Sequence, residues 1–198
     1  MDFLKEELKG LREAGLLRTL RVLEGAQGNR VRIEGKEYIA FCSNDYLGLA
    51  ASEELIRAAR GAMEKYGFGA GAARLVTGTS REHIDLERQI AAFEGTEDAI
   101  VFSTGYMANI GAITSLVGEG DLVIGDRLNH GSIVDGCRLS RATFRVYAHR
   151  DMAQLERCLK RAKLFGRTLV VTDTVFSMEG DIAPWAIFAN FVGNTALC

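Results

Sequence analysis

From residue 99 onward short apolar, β-branched runs alternate with helical patterns, and that alternation constrains the fold more than any other feature of the chain. Residues 99–102, 122–124, 144–147 and 168–172 read as strands, and residues 106–117, 132–139 and 152–163 repeat apolar positions at helical spacing. Parallel neighbours need a long crossover, for which a helix is the usual solution. Repeated β-α-β units therefore predict an α/β fold, a mostly parallel sheet covered by helices. Ligands of such sheets bind at the carboxyl ends of the strands, so chemistry is expected in the segments that follow each strand.

Ahead of this region, Leu4, Leu8 and Leu11 repeat at helical spacing up to Gly15, and Leu16, Leu17 and Leu20 continue an amphipathic arm. Residues 30–41 alternate around Glu34-Gly35-Lys36, which predicts a small hairpin. Ser52 is placed to cap a helix reaching about Lys65. The glycine-dense run over residues 67–78 fits a flexible loop as well as a ligand loop. Thr79-Ser-Arg-Glu82 has the spacing of a capping box, with Leu86, Ile90 and Phe93 as the apolar face of the helix it opens and Gly95 as its end. Three segments result: an arm and hairpin over residues 1–50, a main domain over 51–184 and a tail over 185–198.

With 198 residues, 47% apolar and 25% charged, the chain can bury a sizeable core. A net charge of −2 without a cluster of Lys and Arg argues against nucleic acid and leaves small molecules or proteins as partners. Cys42, Cys137, Cys158 and Cys198 form no Cys-x-x-Cys pair, so neither a zinc site nor a disulfide framework is indicated and a reducing cytoplasm is expected. The charged, periodic start is unlike an export leader. The longest apolar tract, near residues 185–192, is far shorter than the roughly 20 residues of a membrane span.

Among the strand-end segments, Ser103-Thr-Gly-Tyr-Met-Ala-Asn109 puts Gly105 and Tyr106 at a helix start, where free N–H groups and the macrodipole favour a phosphate. An ordinary glycine turn with Tyr106 half-buried fits the same residues. In Asp126-Arg-Leu-Asn-His-Gly-Ser132, His130 is suited to stacking on a flat ring, to proton exchange or simply to capping. His83 and His149 are weaker candidates, and Asp151 is expected to cap the helix from Met152. Ser177 lacks a Gly-x-Ser-x-Gly elbow, which makes it a hydrogen-bonding residue rather than a nucleophile. Glu179 and Asp181, two carboxylates in a turn, are expected to be solvated.

Together Ser43-Asn-Asp-Tyr-Leu-Gly-Leu49, Ser103-Thr-Gly-Tyr-Met-Ala-Asn109, Asp126-Arg-Leu-Asn-His-Gly-Ser132 and Val175-Phe-Ser-Met-Glu-Gly-Asp181 resemble, in order, the motifs of the α-oxoamine synthases. The resemblance implies the large domain of fold-type I pyridoxal-phosphate enzymes, incomplete at its C-terminal side. It implies that Gly105 and Tyr106 hold the cofactor phosphate, that His130 stacks on the pyridine ring and that Ser177 hydrogen-bonds the cofactor, with Arg18 and Asn44 near the substrate. The Gly69-Ala-Gly-Ala-Ala-Arg-Leu-Val-Thr-Gly-Thr-Ser80 run is similar to the branch that condenses L-alanine with a pimeloyl thioester and releases carbon dioxide. The branch that acetylates glycine is the alternative. A homodimer is implied as well.

The family's Schiff-base lysine belongs beyond Pro184, and the residues after Pro184 resemble nothing in the family. The lysines present, Lys5, Lys9, Lys36, Lys65, Lys160 and Lys163, fall on polar helix faces or a hairpin turn. The expectation is an N-terminal portion of such a synthase, inactive by itself and exposing apolar sheet surface. A non-catalytic α/β module that binds a phosphate ligand or another subunit is the alternative of another class.

Overall fold

The computed structural model describes residues 2–192. They form two compact units that divide between Thr79 and Ser80. Residues 193–198 of the tail, with Cys198, lie outside the described residues.

The first unit opens with α1 (Asp2–Glu13), whose leucine stripe buries nothing within the unit. β1 (Arg30–Ile33) and β2 (Lys36–Ile39) pair antiparallel in the register Arg30↔Ile39 and Ile33↔Lys36. Their two-residue turn needs positive φ at both positions, and Glu34 and Gly35 supply it at 49° and 72°. α2 (Glu53–Tyr66) is capped as expected, with Ser52 Oγ accepting from Leu55 N. The glycine-dense run closes in a π-helical turn (Arg74–Gly78). Thr79 Oγ1 donates to Arg74 O at 2.6 Å across that turn. Only glycine fits at Gly78, where a Cβ would fall 1.9 Å from Ala72 O.

The second unit is built on a parallel sheet in the order β4-β3-β5, with β3 (Leu122–Asp126) central between β4 (Thr143–Tyr147) and β5 (Thr168–Val171). Every residue of β3 is buried, as a central parallel strand requires. Alternation divides its side chains between two cores. Val123 joins Ile113 of α4 (Gly105–Leu116) and its C-cap Val117 with Ile133 and Cys137 of α5 (Gly131–Leu139). Leu122 and Ile124 join Tyr147, Leu155 of α6 (Met152–Leu159) and Phe188 of α7 (Trp185–Val192) on the other face. Burying each such aliphatic side chain contributes about 1.5–3 kcal/mol. α4 and α5 approach closely through Gly136, where a Cβ would fall 2.9 Å from Ile113 Cδ1.

Four sequence expectations are corrected here. Residues 99–102 form no strand among the described residues, where the parallel sheet consists of β4, β3 and β5; Val101 N donates to the buried carboxylate of Glu87 at 2.9 Å. The cap of α3 (Arg81–Glu94) is Ser80 with His83, one residue later than Thr79 with Glu82, since Thr79 is engaged with Arg74. The face Leu86, Ile90 and Phe93 is exposed, and α3 buries Glu87 and Ala91. The helix expected over residues 152–163 ends at Leu159 and tightens into a 3-10 turn (Ala162–Leu164), which lets Ala162 and Phe165 pack against the second core before β5 begins. Among the described residues no helix is long and apolar enough to cross a membrane.

Candidate functional site

The site is assembled at the carboxyl edge of the sheet. β3 ends in Asp126, 2% exposed, whose Oδ1 accepts from Leu128 N at 2.9 Å and whose Oδ2 accepts from Arg150 N at 2.9 Å. These bonds shape the loop to His130. Asn129, also buried, donates from Nδ2 to Val171 O at 2.9 Å and accepts from Asp173 N at 3.2 Å, tying that loop to the end of β5. A third tie is His130 N donating to Asp173 Oδ2 at 2.7 Å.

His130 is the N-cap of α5, so its ring is held rather than free. Nδ1 accepts from Ser132 N at 3.2 Å and lies 2.7 Å from Ser132 Oγ, which itself accepts from Asn109 Nδ2 at 2.8 Å. Because Nδ1 accepts from Ser132 N it carries no hydrogen, so Ser132 Oγ donates to it and the ring N–H is on Nε2. One bonded chain thus runs from the second turn of α4 to the imidazole, whose residue remains exposed.

At the start of α4, Thr104 Oγ1 caps Met107 N at 3.2 Å. Gly105 and Tyr106 occupy the first turn, where backbone N–H groups have no helical acceptor, and the space beside Gly105 is open. Tyr106 is exposed rather than half-buried, and its hydroxyl donates to Asp135 Oδ2 at 2.8 Å. That bond, with some burial and the nearby negative charge, raises the phenol pKa. The arrangement offers an anion two N–H donors and the positive end of a helix, worth about 0.3–1 kcal/mol at exposed sites.

Beyond β5 the chain folds back on itself through a Val175↔Ile182 bridge. Phe176 N donates to Asp181 O at 2.9 Å and Gly180 N to Phe176 O at 2.7 Å, with Gly180 at φ 73°. Phe176 is buried and Ser177 exposed, so the turn presents the serine hydroxyl outward. Ser177, His130, Gly105 and Tyr106 therefore all belong to the second unit. Arg18 and Asn44 belong to the first, both exposed, where Asn44 Oδ1 accepts from Tyr46 Oη at 3.4 Å and Asp45 Oδ1 organises the turn by accepting from Leu49 N at 2.7 Å.

His149, a weaker candidate by sequence, is engaged at both ring nitrogens. Its Nδ1 stands 3.0 Å from Asp126 Oδ1, its Nε2 3.0 Å from Asp181 Oδ2, and its ring meets Phe176 edge to face at 4.5 Å. Burial alone would lower its pKa, but the bonds to Asp126 and Asp181 outweigh burial and raise it. Asp181 is accordingly not the solvated carboxylate expected: it is partly buried, also accepts from Arg150 Nη1 at 2.9 Å, and is held low in pKa first by His149, against some desolvation, and then by Arg150. The signal was available, since His149 follows a strand end as His130 does.

Among the described residues of the second unit, no lysine stands at this edge. Lys160 and Lys163 follow α6 as it runs to the opposite edge of the sheet, where Lys160 pairs with Glu156 at 3.0 Å; Lys5, Lys9, Lys36 and Lys65 are in the first unit. Cysteine chemistry is disfavoured at Cys137, whose thiol burial pushes up to about 11.

A family described as aminotransferase class I and II matches residues 36–190. The 8-amino-7-oxononanoate synthase of Geobacter sulfurreducens is 58% identical over 178 residues, which are 90% of this chain and 46% of that protein. Its counterpart in Thermoanaerobacter pseudethanolicus is 50% identical over 184 residues, 92% of this chain and 47% of that one. Among solved structures, a serine palmitoyltransferase from S. paucimobilis superposes with a TM-score of 0.88 at 36% identity, covering 96% of this chain and 48% of that one. The 8-amino-7-oxononanoate synthase from Francisella tularensis superposes with a TM-score of 0.65 at 32% identity, covering 76% and 41%. The chain spans about half the length of the curated relatives it matches.

Proposed function

Because this chain belongs to the aminotransferase class I and II family, we propose that its second unit is a pyridoxal-phosphate site of the 8-amino-7-oxononanoate synthase type. In this proposal the N–H groups of Gly105 and Tyr106 bind the phosphate, His130 lies against the pyridine ring and the Ser177 hydroxyl hydrogen-bonds the cofactor. Arg18 and Asn44 serve the substrates, L-alanine and a pimeloyl thioester, and the working enzyme is a cytoplasmic homodimer. The names carried by the relatives favour this substrate pair over acetylation of glycine.

The observation that carries the proposal is the bonded chain Asn109–Ser132–His130, which orients an exposed imidazole from the same helix whose first turn offers N–H donors beside open space. A phosphate attached to a flat ring matches that donor set. When bound, pyridoxal phosphate supplies an electron sink for a carbanion next to nitrogen. The protein's share is orientation. Ser132 holds the His130 ring at Nδ1, leaving its face and Nε2–H available, and Asp173 anchors the His130 backbone. The lysine this chemistry requires is not among these residues, and the proposal assigns it to the part of the relatives' length that they do not span.

The test is titration of the chain with pyridoxal 5'-phosphate, followed by absorbance, with and without borohydride reduction. Reversible binding is expected, weakened at least tenfold in His130→Ala and for pyridoxal without its phosphate. Equal affinity for pyridoxal, or no binding at all, would overturn the proposal. A specific reduced adduct at Lys160 or Lys163 would overturn the assignment of the lysine.

A further inference from the structure

The roles proposed for Gly105, Tyr106, His130 and Ser177 leave the contacts of His149 unexplained. We propose that His149 is a positioning residue: bridging Asp126 and Asp181 as an imidazolium, it fixes the turn closed by Val175 and Ile182, and with it the Ser177 hydroxyl, to the loop that carries His130. This deepens the function proposed above and rests on it for the roles of Ser177 and His130.

The geometry demands two donors. Ionised Asp126 and Asp181 offer only acceptors, one at each ring nitrogen, and a neutral imidazole has a single N–H. Loss of a proton therefore sets a nitrogen lone pair against a carboxylate. Asp126 cannot swing aside, because its side chain is 1% exposed and is engaged with Leu128 N and Arg150 N. Phe176 fixes the ring's tilt from the turn itself. The other charged group at the contact is Arg150, bound to Asp181; α6 contributes Gln154, which accepts from Ala148 N, and its cap Asp151, which accepts from Gln154 N. Arg150 keeps the turn partly attached when His149 is neutral.

The sign follows from the raised pKa of His149. The tight turn is fully present below the free imidazole value of about 6.5 and is lost as pH rises through the higher value of the folded protein.

The experiment is hydrogen exchange on the full chain, reading the protection factors of the Phe176 and Gly180 amides, with the ring nitrogens of His149 followed by NMR. The wild-type factors are expected to fall about tenfold between pH 6 and pH 9 while those of Val123 and Ile124 hold. In His149→Gln the turn amides are expected to be about tenfold less protected already at pH 6, with no further loss as pH rises. Asp181→Asn, altered on the solvent side, gives the same loss and serves if the first variant folds poorly. Turn protection that is independent of pH and of both substitutions overturns the inference. So does equal loss at the turn and in β3, which marks a role in global stability only. Failure of pyridoxal 5'-phosphate to bind the wild-type chain counts against the function proposed above, while the exchange measurements still decide the role of His149.

Discussion

Replacing Gly136 by alanine separates helix propensity from packing. In an exposed helix interior Gly→Ala stabilises by about 0.8–1.0 kcal/mol. At Gly136 the added Cβ would lie 2.9 Å from Ile113 Cδ1, 3.2 Å from Asn109 O and 3.4 Å from Ile110 Cα. Carbon atoms prefer roughly 3.5–4.0 Å, so the first contact is too short by more than half an ångström. The isoleucine methyl can turn away only into a packed core, and the other two atoms are helix backbone, so α4 itself has to shift. Overpacking of this kind costs about 1–3 kcal/mol, and with backbone on one side the upper half of that range applies. Net destabilisation of about 1–2 kcal/mol is left, a urea midpoint lower by roughly 0.5–1 M at an m-value near 2 kcal/mol/M. Far-UV ellipticity against urea measures it. Ile113→Val in the same background removes the shortest contact and is expected to recover part of the loss. Gly61→Ala in α2, where no atom lies within 4 Å, is the control and is expected to stabilise. A Gly136→Ala chain as stable as wild type would refute the close-packing account.

Asn129→Ala removes the bonds to Val171 O and Asp173 N and is expected to lower stability by about 1–3 kcal/mol, seen as a lower melting temperature. Asp121 accepts from Arg167 N at 2.8 Å and Gly118 N at 2.9 Å, and these bonds, first that from Arg167, outweigh burial and lower its pKa. Its contribution is present above the unfolded value of about 3.9 and is lost as pH falls through the folded one. Asp121→Asn should therefore melt lower than wild type at neutral pH, with the gap closing below pH 4 in scans across pH.

The sheet was legible because period-2 and continuous apolar runs survive in a single sequence, and β3, as Leu-Val-Ile-Gly-Asp, could be little else than a buried parallel strand. Residues 99–102 carry the same signal, yet a strand is a relation to a neighbour, and apolar pattern does not encode whether that neighbour is paired. His130 was findable by position and by motif. His149 had the position alone, and its importance comes from Asp126 and Asp181, which lie far from it in sequence and meet it only through the sheet register. The capping of α3 shifted by one residue because two hydroxyls compete for adjacent roles, and only the π-helical turn decides which is occupied.

β3 ends on Gly125 and Asp126, and neither has room to vary. A side chain at 125 would meet Phe144 at 3.1 Å and Asn129 Nδ2 at 3.2 Å, and Asp126 holds three groups at once. For protein engineering the carboxyl end of this strand is therefore fixed stock. A redesign that seeks a different acceptor or ring in the site has to begin from the surface of the loops, at Leu128 or around Ser177 and Met178, whose side chains are open to solvent.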